Sequence, residues 1–179
     1  MDKLKQFTST QIKIVNRSVE MAEELVSNFY KMSASQWLRR RYDIKTLANL
    51  SSNEIVTGPF AQIIRYVGQQ KNSSLGSSTY DFYKICLQDH SICETLNKSD
   101  DLELFPFTLY IITHELIHIV RFTKFLQNFD ASPDEKMAEE ARVHDNTREI
   151  LKPVKIAGLF EVFNFYSNWH TPLEGLRNT

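Results

Sequence analysis

Apolar residues first repeat with a helical period near the start of the chain. Ile12, Val15, Val19, Met21, Ala22, Leu25, Val26 and Phe29 keep a 3.6-residue spacing, so Ser9 to Lys31 reads as an amphipathic helix with Ser9 or Thr10 as its cap. Met32-Ser33-Ala34-Ser35 interrupts the pattern, and Gln36 to Tyr42, carrying Trp37, Leu38 and three arginines, reads as a second helical stretch. Ile44 to Leu50 suggests a further short helix, ending at Ser51-Ser52-Asn53. The pattern then changes. Ala61 to Val67 is β-branched and aromatic and lies between Gly58-Pro59 and Gly68, which predicts a strand. Thr79 to Leu87 predicts another, ended by Gln88-Asp89-His90-Ser91, with His90 in a turn. The polar, Gly/Ser-rich residues between the two strands make a loop and allow a hairpin.

A turn at Asn97 to Asp101 precedes the longest apolar run of the chain, Leu104 to Leu126. Pro106 lies near its start, where a missing N–H does no harm to a helix. Ser132-Pro133-Asp134-Glu135 is a strong helix start: Ser132 caps, Pro133 opens the first turn and Glu135 completes a capping box. That helix runs to about Leu151 and stops before Pro153. Val154 to Trp169 is aromatic and helical in character, and Pro172, Gly175 and the polar last residues suggest a frayed end.

These elements predict an α+β fold, mainly helical, with a small sheet ahead of the Leu104 helix. The 179 residues suffice for one domain. Its expected parts are N-terminal helices (1–55), a small sheet (56–100), a helix pair (101–151) and a C-terminal aromatic segment (152–179). A net charge of −1 exerts no broad pull toward nucleic acid or an anionic membrane. Three consecutive arginines, Arg39 to Arg41, point in different directions on a helix and read as a solvated face. The apolar runs are interrupted by charged residues, which argues against a membrane span. Cys86 and Cys93 form no disulfide framework and no C-x-x-C pair, and they read as inert. The first residues lack an apolar signal segment. A cytoplasmic setting is therefore expected.

Candidate chemistry sits in the middle of the apolar run. His114-Glu115-Leu116-Ile117-His118 is an H-E-x-x-H pattern. Residues four apart share a helix face, so His114 and His118 can point two imidazoles at one metal ion. Glu115, one residue round, is placed to act as general base on a metal-bound water. Lone histidines on apolar faces are usually satisfied core residues, but two with a Glu in one buried turn are harder to read that way.

A catalytic zinc takes three protein ligands. No His-x-x-Gly-x-x-His extension follows, since His118 leads into Ile119-Val120-Arg121-Phe122. The next helix offers Glu139, Glu140 and His144. At about 100° per residue, Met137, Glu140, His144, Thr147 and Leu151 form one stripe, with Glu139 toward the edge. This spacing favours Glu140 as third metal ligand, with Glu139 and His144 as alternatives.

His114 to His118, together with Glu139-Glu140-Ala141-Arg142-Val143-His144-Asp145, resembles the gluzincins, zinc peptidases with H-E-x-x-H on one helix and a Glu on a following one. In many gluzincins an Asp stands four residues after the ligand Glu. Here that position, counted from Glu140, is His144, and Asp145 is one residue late. The resemblance implies a compact zincin-like fold of helices on a small sheet, one Zn2+ per chain and a peptide or protein substrate; the charge and the interrupted apolar runs lead us to expect neither nucleic acid nor membrane as partner. The implied activity is peptide hydrolysis with Glu115 as base. His144, Tyr166 and His170 are candidates for a second donor to the oxyanion, His144 foremost. The competing expectations are a non-catalytic zinc-binding regulatory or interaction protein on a peptidase-like fold, and a helical protein in which the His-Glu pattern is structural.

Overall fold

Thr8, rather than Ser9 or Thr10, opens the first helix of the computed structural model, which describes residues 2–33, 41–69, 79–124, 126–168 and 176–178. Gln11 N–H donates to the Thr8 hydroxyl while Thr8 N–H donates to the Gln11 side chain, a reciprocal cap one residue earlier than the sequence suggests. Helix α1 follows (Ser9–Phe29). Residues 36–40 of the expected second helical stretch, residues 70–78 of the expected loop, and Trp169 and His170 lie outside the described residues.

The expected short helix from Ile44 to Leu50 is replaced by strand β1 (Tyr42–Lys45) and a 3₁₀ turn at Leu47–Asn49. Its pairing explains the difference. Ile44 sits opposite Ile85 in a parallel ladder with a distant strand, and no local periodicity signals such a partner. Strands β2 (Ala61–Gln69) and β3 (Thr79–Leu87) pair antiparallel, as the sequence predicts. The sheet order is β1-β3-β2-β4. Strand β4 (Leu176–Asn178) joins β2 in parallel, so the last residues contribute an edge strand where a frayed end was expected.

Helix α2 (Asp89–Lys98) begins where the sequence suggests a turn. Asp89, read locally as a strand terminator, is a buried hub: its carboxylate accepts from Phe7 N at 2.9 Å and Leu47 N at 3.0 Å. His90 is the second residue of this helix, with Nε2 2.9 Å from Val56 O.

Helix α3 (Leu104–Thr123) is the axis of the core: seventeen of its twenty residues are buried. On one side it packs against α1, where the Ser18 and Thr108 hydroxyls meet at 2.7 Å. On another, Phe60 at the head of β2 meets Phe107, and Tyr83 of β3 stacks on Phe122. Helix α4 (Pro133–Leu151) starts with the predicted Ser132–Glu135 capping box and ends at the predicted residue. Helix α5 (Leu159–Ser167) is the helical part of the aromatic tail. Gly158 turns the chain into it at φ +90°, and a Cβ there would lie 2.8 Å from Pro106 Cγ, so α5 starts hard against the first turn of α3.

The α+β class is observed, and among the described residues no helix is long and apolar enough to cross a membrane. Both cysteines are buried, and neither forms a disulfide among the described residues.

One buried polar network braces the hairpin from below. Glu54 accepts from Lys84 Nζ, Tyr66 Oη, Ser51 N and Ser51 Oγ at 2.7–2.8 Å. Burial pushes its carboxyl up, but these donors outweigh it and hold the pKa at about 2. A depressed carboxylate stabilises the fold fully above its unfolded pKa and loses that contribution as pH falls toward the folded value. Glu54→Gln is therefore expected to cost about 2 kcal/mol at neutral pH. The gap to the parent protein should close between about pH 5 and pH 2 in urea unfolding. A pH-independent gap would contradict this account.

Candidate metal centre

Helices α3 and α4 bring three ligand atoms together from opposite sides. His114 and His118 lie one turn apart on α3, and Glu140 reaches across from α4. His114 Nε2 is 2.7 Å from Glu140 Oε1, His118 Nε2 is 3.1 Å from Glu140 Oε2, and the two imidazole Nε2 atoms are 3.2 Å apart. These residues form the group able to hold a metal ion among the described residues. It is the triad that the helix spacing favours.

The donor set fits zinc. Tetrahedral ligands about 2.1 Å from one ion stand about 3.4 Å apart, so these atoms already converge and need to spread by under about 1 Å. Their hydrogen bonding points the same way. Gln127 Oε1 is 3.0 Å from His118 Nδ1, and an amide oxygen only accepts, so Nδ1 carries the proton. The opposite nitrogen, Nε2, faces His114 and the Glu140 carboxylate. Where these nitrogens are unprotonated, their lone pairs and the carboxylate converge as a cation would need.

Electrostatics set the matching protonation states. Burial pulls His114 down to about 4, against the opposing pull of Glu140, and keeps the imidazole neutral at pH 7. Burial alone would push the Glu140 carboxyl up. Its contacts with His114, His118 and His144 prevail and hold it well below the usual carboxylate range.

Glu139 and His144, the two alternatives for the third ligand, have other tasks. Glu139 is buried and hydrogen-bonded to Arg121 Nε of α3 and, at 3.3 Å, to Arg142. This reverses part of the face expected from the sequence. Met137 is 62% exposed, and the buried face of α4 is Glu139, Val143, Thr147, Ile150 and Leu151. Glu140 and His144 lie at the edge of that face. The pairing of Glu139 with Arg121 supplies the reason: α4 turns its buried carboxylate toward the one basic residue in the last turn of α3.

His144 flanks Glu140. Its Nε2 is 3.4 Å from Glu140 Oε1, and its Nδ1 is 2.7 Å from the Tyr110 hydroxyl. With Tyr110 O–H donating to Nδ1, the ring proton sits on Nε2 and faces the carboxylate. His144 therefore stands beside Glu140, between its carboxylate and the Tyr110 hydroxyl. Tyr166 stacks on Tyr110 at 4.1 Å and packs near His144 at 5.4 Å, as part of an aromatic wall. Glu115 is buried next to His114 in the same turn.

Two contributors escape a reading of the motif alone. Tyr110 precedes His114 by one helical turn and so lies on the same stripe, a signal present in the sequence. Gln127 lies past the end of α3 and carries no local signal. Gln127→Leu is expected to weaken zinc affinity about 10–100-fold without loss of fold. Competition with a chromophoric chelator measures this, and unchanged affinity would remove Gln127 from the site.

Access is one-sided. His114, Glu115 and His118 are at most 2% exposed, while the Glu140 and His144 side chains are 17% and 25% exposed, so solvent meets the site along the α4 edge. A separate cavity of about 360 Å³, lined by Gln127, Phe122, Tyr83 and Arg65, lies on the far side of Gln127 and includes none of the three candidate ligands. Comparison of the chain with models of protein families, with curated proteins and with solved structures found no match.

Proposed function

We propose that this protein is a zinc-dependent metallopeptidase of gluzincin type on a compact zincin-like fold. The observation that carries the reading is the convergence of two imidazole nitrogens from an H-E-x-x-H helix and one carboxylate from the next helix. Zinc, when bound, supplies a Lewis acid that polarises a peptide carbonyl and acidifies water. The protein's own groups do the rest. His114, His118 and Glu140 hold the ion. Gln127 fixes the His118 ring, and the Tyr110–His144 pair fixes Glu140. Glu115 takes a proton from the attacking water as the C–O bond forms, and returns it to the leaving nitrogen as the C–N bond breaks. Solvent and substrate would reach the ion along the α4 edge, where the Glu140 and His144 side chains are partly exposed.

Burial favours a second reading. With His114, Glu115 and His118 at most 2% exposed, the same zinc site suits a non-catalytic interaction protein whose metal ties α3 to α4.

Elemental analysis after dialysis against zinc tests the shared premise. About one zinc per chain is expected in the parent protein, and almost none in a His114→Gln, His118→Gln double variant. A folded parent that stays metal-free would sink both readings. Hydrolysis of a mixed peptide library, stopped by a chelator and restored by zinc, separates the first from the second.

A further inference from the structure

A second feature lies between the end of α4 and the start of α5. A groove of about 510 Å³ runs there, floored by Val154, Ile156, Leu159 and Phe163. Phe160, 70% exposed, stands at its margin. Arg148, Lys152 and Lys155 surround the apolar floor. None of these three cations has an ion pair among the described residues, and Arg148 Nε is buried there without a hydrogen-bond partner. Glu161, the acid of α5, faces a different hollow with Asp101 and Asn164.

This combination is costly for a surface with no partner. An exposed Phe beside an apolar hollow leaves hydrophobic surface in water. A buried guanidinium N–H with no acceptor forfeits a hydrogen bond. Three unbalanced positive charges around that floor favour anions next to an apolar group. We propose that the groove docks a peptide segment of a partner protein, in which an aromatic or aliphatic side chain is flanked by acidic residues. The volume suits one or two large side chains, within the usual range of about 300–1,000 Å³ for such pockets. The apolar side chain fills the hollow against Phe163 and Ile156, and the flanking carboxylates meet Lys152, Lys155 and the Arg148 guanidinium. The hollow beside Phe160 is concave and takes an inserted side chain, a shape that a lipid surface does not fill. The inference is independent of the metal centre and holds whether or not the protein cleaves peptides.

Selection from a displayed library of random peptides of about twelve residues, against the full chain, tests it. Enriched sequences should carry Phe, Trp or Leu flanked by Asp or Glu. The selected consensus peptide, followed by fluorescence anisotropy, should bind about tenfold more weakly to the Lys152→Glu, Lys155→Glu double variant and about fivefold more weakly to Phe160→Ser. Raising the salt from about 0.05 to 0.5 M should also weaken it. All three replaced residues are exposed, so both variants keep the fold. Absence of enrichment, enrichment of basic or uncharged sequences, or unchanged affinity in both variants would overturn the proposal. Binding to phosphatidylserine vesicles that depends on the same residues, without peptide binding, would overturn it as well.

Discussion

Glu115→Gln is expected to lower peptide hydrolysis about a thousandfold while zinc content and melting temperature stay at parent values. The substitution keeps shape and volume and removes only the ability to take up a proton. Glu115 is 1% exposed in the middle of α3, so a smaller residue would leave a cavity and confuse loss of chemistry with loss of packing. The amide avoids this. It also leaves His114 and His118 untouched, so the metal should remain. Turnover on a peptide library, zinc per chain and thermal unfolding together decide the outcome. Parent-like turnover would remove Glu115 from the reaction. Lost turnover with lost zinc would mean that Glu115 supports the metal, not the proton transfer.

The second large effect is a contrast between neighbours. Glu140→Gln should lower zinc affinity at least about 100-fold, more than loss of an outer partner usually does, because it removes a ligand. Glu139→Gln should leave zinc in place and cost about 3 kcal/mol of stability, because it strips a buried arginine of its counter-charge. Arg121 would keep neutral partners, among them Leu126 O at 3.3 Å and the Tyr30 hydroxyl, but no carboxylate from Glu139. One variant is thus folded and short of metal, and the other is metal-loaded and weakened. Chelator competition and urea unfolding on both proteins read the two axes separately. Zinc loss in Glu139→Gln with retention in Glu140→Gln would exchange their roles.

Local patterns carried much of this architecture. The amphipathic run of α1, the β-branched and aromatic segments of the hairpin and the Ser132-Pro133-Glu135 start of α4 are all short-range signals, and each element formed where its signal lay. The differences arise where distant residues decide. Ile44 is a strand residue because β3 lies beside it. Asp89 opens a helix because Phe7 and Leu47 present two N–H groups to its carboxylate. The last residues form a strand because β2 offers an edge. At the metal centre, helix spacing was enough to favour Glu140, but it placed Met137 on the buried face. Only the partner helix, through Arg121, fixes the rotation that buries Glu139. Gln127 was illegible for the same reason: its place beside His118 depends on how the chain turns after α3.

The burial of seventeen residues in α3 has a consequence for how this site can change. Core and chemistry share one segment, so Leu116 and Ile117 set the volume of the interior and the pose of two imidazoles at once. A substitution that repacks the interior retunes the ligands, and one that retunes the ligands strains the interior. Variation around the candidate site is tolerated more readily on α4. There Glu140 and His144 sit at a half-open edge, and Met137, Ala141 and Asp145 beside them face water. A laboratory selection for altered metal binding should therefore accumulate its early substitutions on α4 and leave α3 almost unaltered.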